Sequence, residues 1–221
     1  LPAGSVTAVV GLSGSGKTSL LRLLTALESP QEGEIRLDGV PLADLELHRL
    51  RRNLAVVWQE VALVRGSFYA NLVMGCEGEP EAGRVERAIR VCGLEQLVSE
   101  LPEGLETPVA EFGSTLSAGQ RQRVALARAL LRNAPIVLLD EATANIDALT
   151  ERRVLEGLLA ETRESTVVFV THRLSTAALA ERICVLEQGL LVGLGGHESL
   201  LRSCEPYRRM VEAADRGKES R

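Results

Sequence analysis

The chain has 221 residues, 45% of them apolar, 25% charged and only 3% aromatic, with a formal charge of −5. That length can bury a sizeable core, and these fractions exclude a disordered chain. An acidic balance with three Phe, two Tyr and one Trp argues against a nucleic-acid surface, which needs basic stripes and stacking rings. No stretch approaches the roughly 18 apolar residues of a bilayer span. The greasiest window, Val124 to Leu139, is broken by Arg128, Arg132, Asn133 and Pro135. The start, Leu1-Pro2-Ala3-Gly4, has neither a basic segment nor a signal-peptide core. Cys76, Cys92, Cys184 and Cys204 lie far apart with no Cys-x-x-Cys pair, and read as reduced thiols rather than metal or redox ligands.

Short β-rich apolar runs alternate with helical stretches, the α/β pattern. Ser5–Val10 reads as a strand stopped by Gly11. Lys17–Glu28 reads as a helix with Leu20, Leu21, Leu23, Leu24 and Leu27 on one broad face and Pro30 beyond it. Asp38-Gly39, between Glu34–Leu37 and Val40, is a two-residue hairpin signal, and Leu54–Trp58 is a further strand ending at Gln59. From Val61 to Asn133 strand-like runs vanish. Helical segments follow near Ser67–Met74, Glu81–Cys92, Leu94–Glu100 and Ala118–Arg132, as in an inserted subdomain. Strands return at Ile136–Leu139, Thr166–Thr171, Ile183–Glu187 and Leu190–Leu194, and the polar tail after Pro206 reads as a loosely packed helix.

Gly11-Leu-Ser-Gly-Ser-Gly-Lys-Thr18 sits between a strand and a helix, where a phosphate-binding loop must sit. Gly11, Gly14 and Gly16 let the backbone curl so that successive N–H groups converge on an anion, and the helix start adds its positive end. Lys17 would neutralise β- and γ-phosphates and Thr18 would offer its hydroxyl to Mg²⁺. Ser13, Ser15 and Ser19 would complete the phosphate cradle. Ser117 with Gln120 three residues on is a capping box at the start of a second helix. Taken alone it is a cap and nothing more. Gly119 in the first turn is a residue that helices disfavour unless something approaches the backbone closely. Ser117, Ala118, Gly119 and Gln120 thus form a second candidate anion site, for a nucleotide held by another copy.

Ile136-Val-Leu-Leu-Asp140-Glu141 reads as a buried strand ending in two carboxylates. Asp140 is placed to hold Mg²⁺ through water, and Glu141 to orient or deprotonate the attacking water. Gln59, at another strand end, is a neutral oxygen able to touch both metal and water. His172, after strand Thr166–Thr171, can hydrogen-bond the γ-phosphate and hold water and Glu141 in line. His48 and His197 are assigned nothing.

With these residues in hand the chain resembles the ATP-binding cassette (ABC) ATPases. The motifs fall in the family's order: P-loop 11–18, Q-loop Gln59, signature Leu116–Gln120, Walker B Ile136–Glu141, D-loop near Asp147 and switch His172. The resemblance implies one ABC ATPase domain over 1–221. It would comprise a RecA-like P-loop core (1–60 and 134–205), an inserted α-helical subdomain (61–133) and a tail (206–221), with the family's N-terminal antiparallel strands truncated. It further implies Mg-dependent hydrolysis by a head-to-tail pair of cassettes, identical or diverged. Ser117 and Gly119 of one copy would then contact the γ-phosphate held by Lys17 of the other. Val64–Leu72, Thr107–Gly113, Thr171–Thr176 and Gly196–Leu201 are similar to exporter segments. That branch places the cassette on the cytoplasmic face of the cell membrane, behind a transmembrane domain fused N-terminally. Three features depart from the family. No aromatic residue precedes the P-loop to stack on adenine, Ala118 stands where glycine is usual, and Ala144-Asn-Ile-Asp147 replaces Ser-Ala-Leu-Asp. Two other functions are a soluble ABC ATPase of DNA repair or translation, which calls for basic surfaces or insertions, and a regulatory nucleotide-binding module without turnover, against which Glu141 and His172 speak. A GTPase would need an Asn-Lys-x-Asp motif, which the sequence lacks.

Overall fold

The computed structural model describes the backbone of residues 1–219 and side chains through residue 214, so the last residues of the tail expected over 206–221 lie outside the described residues. In chain order the elements are β1 (Val6–Val10), α1 (Lys17–Leu24), β2 (Arg36–Leu37), β3 (Val40–Pro41), α2 (Leu47–Arg52), β4 (Leu54–Val57), β5 (Gly66–Ser67) and α3 (Phe68–Leu72). There follow α4 (Arg84–Val91), α5 (Glu95–Glu100), β6 (Pro108–Val109), α6 (Ala118–Arg132), β7 (Ile136–Asp140) and α7 (Ala148–Glu161). The chain closes with β8 (Thr166–Val170), α8 (Leu174–Ala177), β9 (Arg182–Glu187), β10 (Leu190–Gly195), α9 (His197–Ser203) and α10 (Glu205–Glu219). Contacts divide it into two compact units, Leu1–Leu54 with Thr166–Arg221, and Ala55–Ser165.

In the first unit four strands lie in the order β10-β9-β1-β8. β1 is parallel to both neighbours, with Val9 opposite Val170 on one side and Cys184 on the other. A parallel strand covered on both faces reads as an unbroken apolar run, and Ala8, Val9 and Val10 are each no more than 1% exposed. β10 returns antiparallel to β9 through Gln188-Gly189. The hairpin at Asp38-Gly39 forms with both turn residues at positive φ, 51° and 81°, as the sequence predicts.

Two expectations are corrected here. α1 ends at Leu24 rather than Glu28. Thr25 Oγ1 donates back to the carbonyls of Leu21 and Arg22, and Ala26 turns left-handed, which leaves Leu27 exposed. The tail is anchored at its start: Tyr207 is fully buried and its hydroxyl lies 2.8 Å from His197 Nδ1, while burial raises the phenol's pKa.

In the second unit β7 lies beside β4, and α6 is its axis. Val124, Leu126 and Ala127 are fully buried, with α3, α4 and α7 packed around the helix. The helices expected over 61–133 form, but the block also holds a two-residue antiparallel bridge, β5 with β6. The 14-residue α7 was not resolved in the sequence as a separate helix; Asp147 caps it by accepting from Thr150 N–H at 3.0 Å. Asn71, fully buried, fastens the segment after Gln59: its amide donates to the carbonyls of Val64 and Ser67, its Oδ1 accepts from Val64 N–H, and Arg128 of α6 donates to its oxygens.

The four cysteines are free thiols. Burial pushes the Cys92 thiol far above its ordinary range and raises those of Cys76 and Cys184 less. A raised thiol pKa means less thiolate at any pH below it, hence slower alkylation. At pH 8, Cys92 is therefore expected to resist iodoacetamide until urea unfolds the protein, as peptide mass spectrometry with and without urea will show. Native-state labelling at the rate of a free thiol would contradict its burial.

Candidate functional site

Each unit carries its own share of the predicted residues. In the first, β1 delivers the chain to Gly11, where a Cβ would sit 2.3 Å from the Leu186 carbonyl oxygen and 2.4 Å from Ser15 Oγ, so only glycine fits. Gly16 caps α1 at φ 96°, a left-handed conformation that favours glycine. Gly189 N–H donates to the Ser15 carbonyl at 3.1 Å, tying the β9–β10 turn to the loop. Lys17 is only 8% exposed, and its ammonium donates to the carbonyls of Gly11 and Leu12, 2.9 Å each. Ser15 Oγ is buried with no hydrogen-bond partner. A buried ammonium and an orphaned hydroxyl at the start of an eight-residue helix are the donor set of an anion cradle, and they fit a triphosphate. Ser13, Gly14, Thr18 and Ser19 line the same turn and are exposed.

His172 stands on the chain just past β8, exposed, in the same unit. Its position is fixed from behind: Thr171 N–H donates to the Val9 carbonyl at 3.2 Å and Thr171 Oγ1 accepts from Arg173 N–H at 3.0 Å. The histidine is thereby set beside the end of β1, the strand that feeds the loop.

In the second unit β7 ends at Asp140, 2% exposed. Glu141 follows at φ 45°, a left-handed conformation that costs a non-glycine residue roughly 1–2 kcal/mol. Gln59 Nε2 donates to Glu141 Oε2 at 3.3 Å, a contact between the two side chains that the sequence reading, which gave Gln59 a metal- and water-facing oxygen, did not include. Among the described residues no group of three or more His, Cys, Asp or Glu stands ready for a metal. A hard divalent ion in this unit would draw on carboxylate and amide oxygens, which Asp140 and Gln59 possess.

The capping box at the second helix forms: Ser117 Oγ accepts from Gln120 N–H at 3.2 Å and Gln120 Oε1 accepts from Ser117 N–H at 2.8 Å. Ser117 is exposed, and Ala118, Gly119 and Gln120 are half-buried. Gly119 has a neighbour within its own unit, because a Cβ there would lie 2.7 Å from the Asn145 carbonyl oxygen. Asp147 spends its carboxylate on capping α7, and the Thr150 N–H bond holds its pKa below the ordinary carboxylate value of 3.8. That capping contribution is complete above pH 3.8 and is lost as pH falls through the depressed folded value.

Three functional-looking residues escaped the sequence reading. Gln122, 1% exposed, donates from Nε2 to the Glu141 carbonyl at 3.4 Å and accepts at Oε1 from Asn145 N–H at 2.9 Å. Thr143 Oγ1 donates to buried Glu151 at 2.7 Å. The available signal was a glutamine on the stripe of Gln122, Leu126 and Ala129, positions spaced as one helix face that is otherwise apolar.

The profile of the ABC transporter family matches residues 1–144. The chain is 46% identical over 198 residues to an ATP-dependent lipid A-core flippase of Alkalilimnicola ehrlichii, covering 90% of this chain and 34% of the flippase. It is 44% identical over 207 residues to the protein of the same description from Methylococcus capsulatus, covering 94% and 34%. The chain thus spans about a third of the length of these relatives. A solved structure of a bacterial Atm1-family ABC exporter with ATP bound is similar at TM-score 0.90 and 38% identity, over 95% of this chain and 37% of that one.

Replacing glycine by alanine inside a helix ordinarily stabilises it by about 1 kcal/mol. Gly119→Ala should do the opposite, because the new methyl meets the Asn145 carbonyl. A loss of about 1–3 kcal/mol is expected by urea unfolding; a gain would show that the loop moves aside at little expense.

Proposed function

The chain belongs to the ABC transporter family, and from that premise we propose that it is the ATP-hydrolysing domain of an exporter. The domain reads as a RecA-like core over 1–60 and 134–205 with a helical subdomain over 61–133. Gly11, Ser13, Gly14, Ser15, Gly16, Lys17, Thr18 and Ser19 bind the phosphates. Lys17 exchanges the carbonyls it now holds for phosphate oxygens, and the buried Ser15 hydroxyl gains a partner. Thr18, Gln59 and Asp140 are the candidate holders of Mg²⁺, which when bound neutralises charge on the phosphates of ATP. Glu141 accepts the proton of the attacking water, with Gln59 steadying its carboxylate and His172 addressing the γ-phosphate. Ser117, Ala118, Gly119 and Gln120 engage the nucleotide of a second ABC ATPase domain, and Asp147 lies in the loop facing that mate.

The observation that carries the reading most is Glu141 itself: a carboxylate held in an unfavourable left-handed backbone conformation at the end of a buried strand, hydrogen-bonded to a glutamine 82 positions earlier in the chain. Strain of that kind persists where a site requires it. The flippases and the Atm1-family exporter support the transport assignment, with a transmembrane domain in the same polypeptide and the cassette on the cytoplasmic face of the membrane. No helix among the described residues is long and apolar enough to cross a membrane.

Glu141→Gln is the test. It should bind ATP as the parent does, lower steady-state phosphate release by roughly 100-fold or more, and accumulate an ATP-bound dimer on size-exclusion chromatography. Undiminished phosphate release would remove Glu141 from the chemistry.

A further inference from the structure

We propose that Gln122 is a positioning residue for ATP turnover: its amide couples the first turns of α6 to the backbone of Glu141 and of the loop at Asn145. The inference rests on the hydrolytic reading of Glu141 and adds to it a residue that touches no nucleotide.

The orientation of the amide is forced. Asn145 N–H can only donate, so the group facing it at 2.9 Å is Oε1, and Nε2 is left to donate to the Glu141 carbonyl at 3.4 Å. Glu141 O takes a second bond from Ala144 N–H at 3.0 Å, which uses both of its lone pairs. The side chain that makes this bridge is 1% exposed, so an amide lost here is not replaced by bulk water.

The next peptide group, which carries the Asn145 carbonyl, also lies against α6. Its carbonyl approaches Gly119 so closely that a Cβ there would be 2.7 Å away. Gly119 and Gln122 are three residues apart and share one face of α6. Two consecutive turns of one helix therefore hold the N–H and the C=O of a single residue, and the first of those turns is the Ser117–Gln120 segment assigned to the mate's nucleotide. On either side of Asn145 the loop is fastened again, by Thr143 on Glu151 before it and by Asp147 on Thr150 after it.

The direction of the Glu141 side chain follows from its backbone angles. A rotation of about 15° at the Cα swings a carboxylate on the glutamate stem by about 1 Å, a misplacement able to slow catalysis about 100-fold. Gln122 is one of the groups that prevents such a rotation in a residue already at φ 45°. Displacement of the α6 start is passed through the same amide to Glu141.

The test uses the intact transporter carrying this chain. Gln122→Met keeps the length and volume of the side chain and removes both hydrogen bonds. Its kcat should fall about 10- to 100-fold while the dissociation constant for ATP stays within about twofold, because the cradle of Gly11–Ser19 is built elsewhere. A folded Gln122→Met with parental kcat overturns the proposal, and so does a parallel loss of ATP affinity and kcat, the mark of general damage. Should that variant not fold, Gln122→Glu carries the test: it keeps an acceptor for Asn145 N–H and loses the donor to Glu141, so a folded Q122E at parental kcat also overturns the proposal. Glu141→Gln run alongside separates the two failures. Full turnover in E141Q sinks the hydrolytic reading, whereas a dead E141Q beside an unaffected Q122M sinks only the coupling.

Discussion

A lysine ammonium withdrawn from water must find oxygens, and Lys17 finds the carbonyls of Gly11 and Leu12 at 2.9 Å. The rest of the first unit is consistent with keeping that arrangement available. β1 is sandwiched between β8 and β9, so the point at which the chain leaves the sheet is fixed. The β9–β10 turn touches the loop through Gly189, and the carbonyl of Leu186 lies so near Gly11 that no other residue can occupy the position. Neutral carbonyl dipoles satisfy a buried cation less well than phosphate oxygens do. On the proposed reading, nucleotide binding would exchange weaker partners for stronger ones within a loop whose shape is already set.

The second unit applies the same economy to a carboxylate. Glu141 follows directly on a strand whose last residue, Asp140, is almost wholly buried, and the chain then turns sharply to reach α7. The loop between them is short, yet it is tied at Gln122, at Glu151 and by its own cap at Asp147. Such over-determination is what allows a left-handed glutamate to persist.

Features encoded over a few neighbouring residues were legible in the sequence. The strand, glycines and lysine of 6–18, the Ser117/Gln120 capping box and the Asp38-Gly39 hairpin each depend on local backbone chemistry, and each forms as read. What escaped depends on distant partners. Nothing near Gly119 announces that the Asn145 carbonyl, 26 positions on, will press against it. Gln122 looked like one more polar residue in an Arg- and Gln-rich helix start, because its two partners lie 19 and 23 positions away. α1 stops early where Thr25 bonds its hydroxyl back to the carbonyls of Leu21 and Arg22 and Ala26 turns left-handed, neither of which leucine periodicity registers.

The left-handed backbone at position 141 also bears on how that position can be varied. Any substitute inherits φ 45° together with the task of its side chain. Asparagine and glycine tolerate such angles, whereas valine, isoleucine and threonine crowd their branched carbon against the flanking peptides. A saturation library at this codon would therefore sort by conformational tolerance as well as by acidity, and an inert valine clone would report a distorted hinge as much as a missing base.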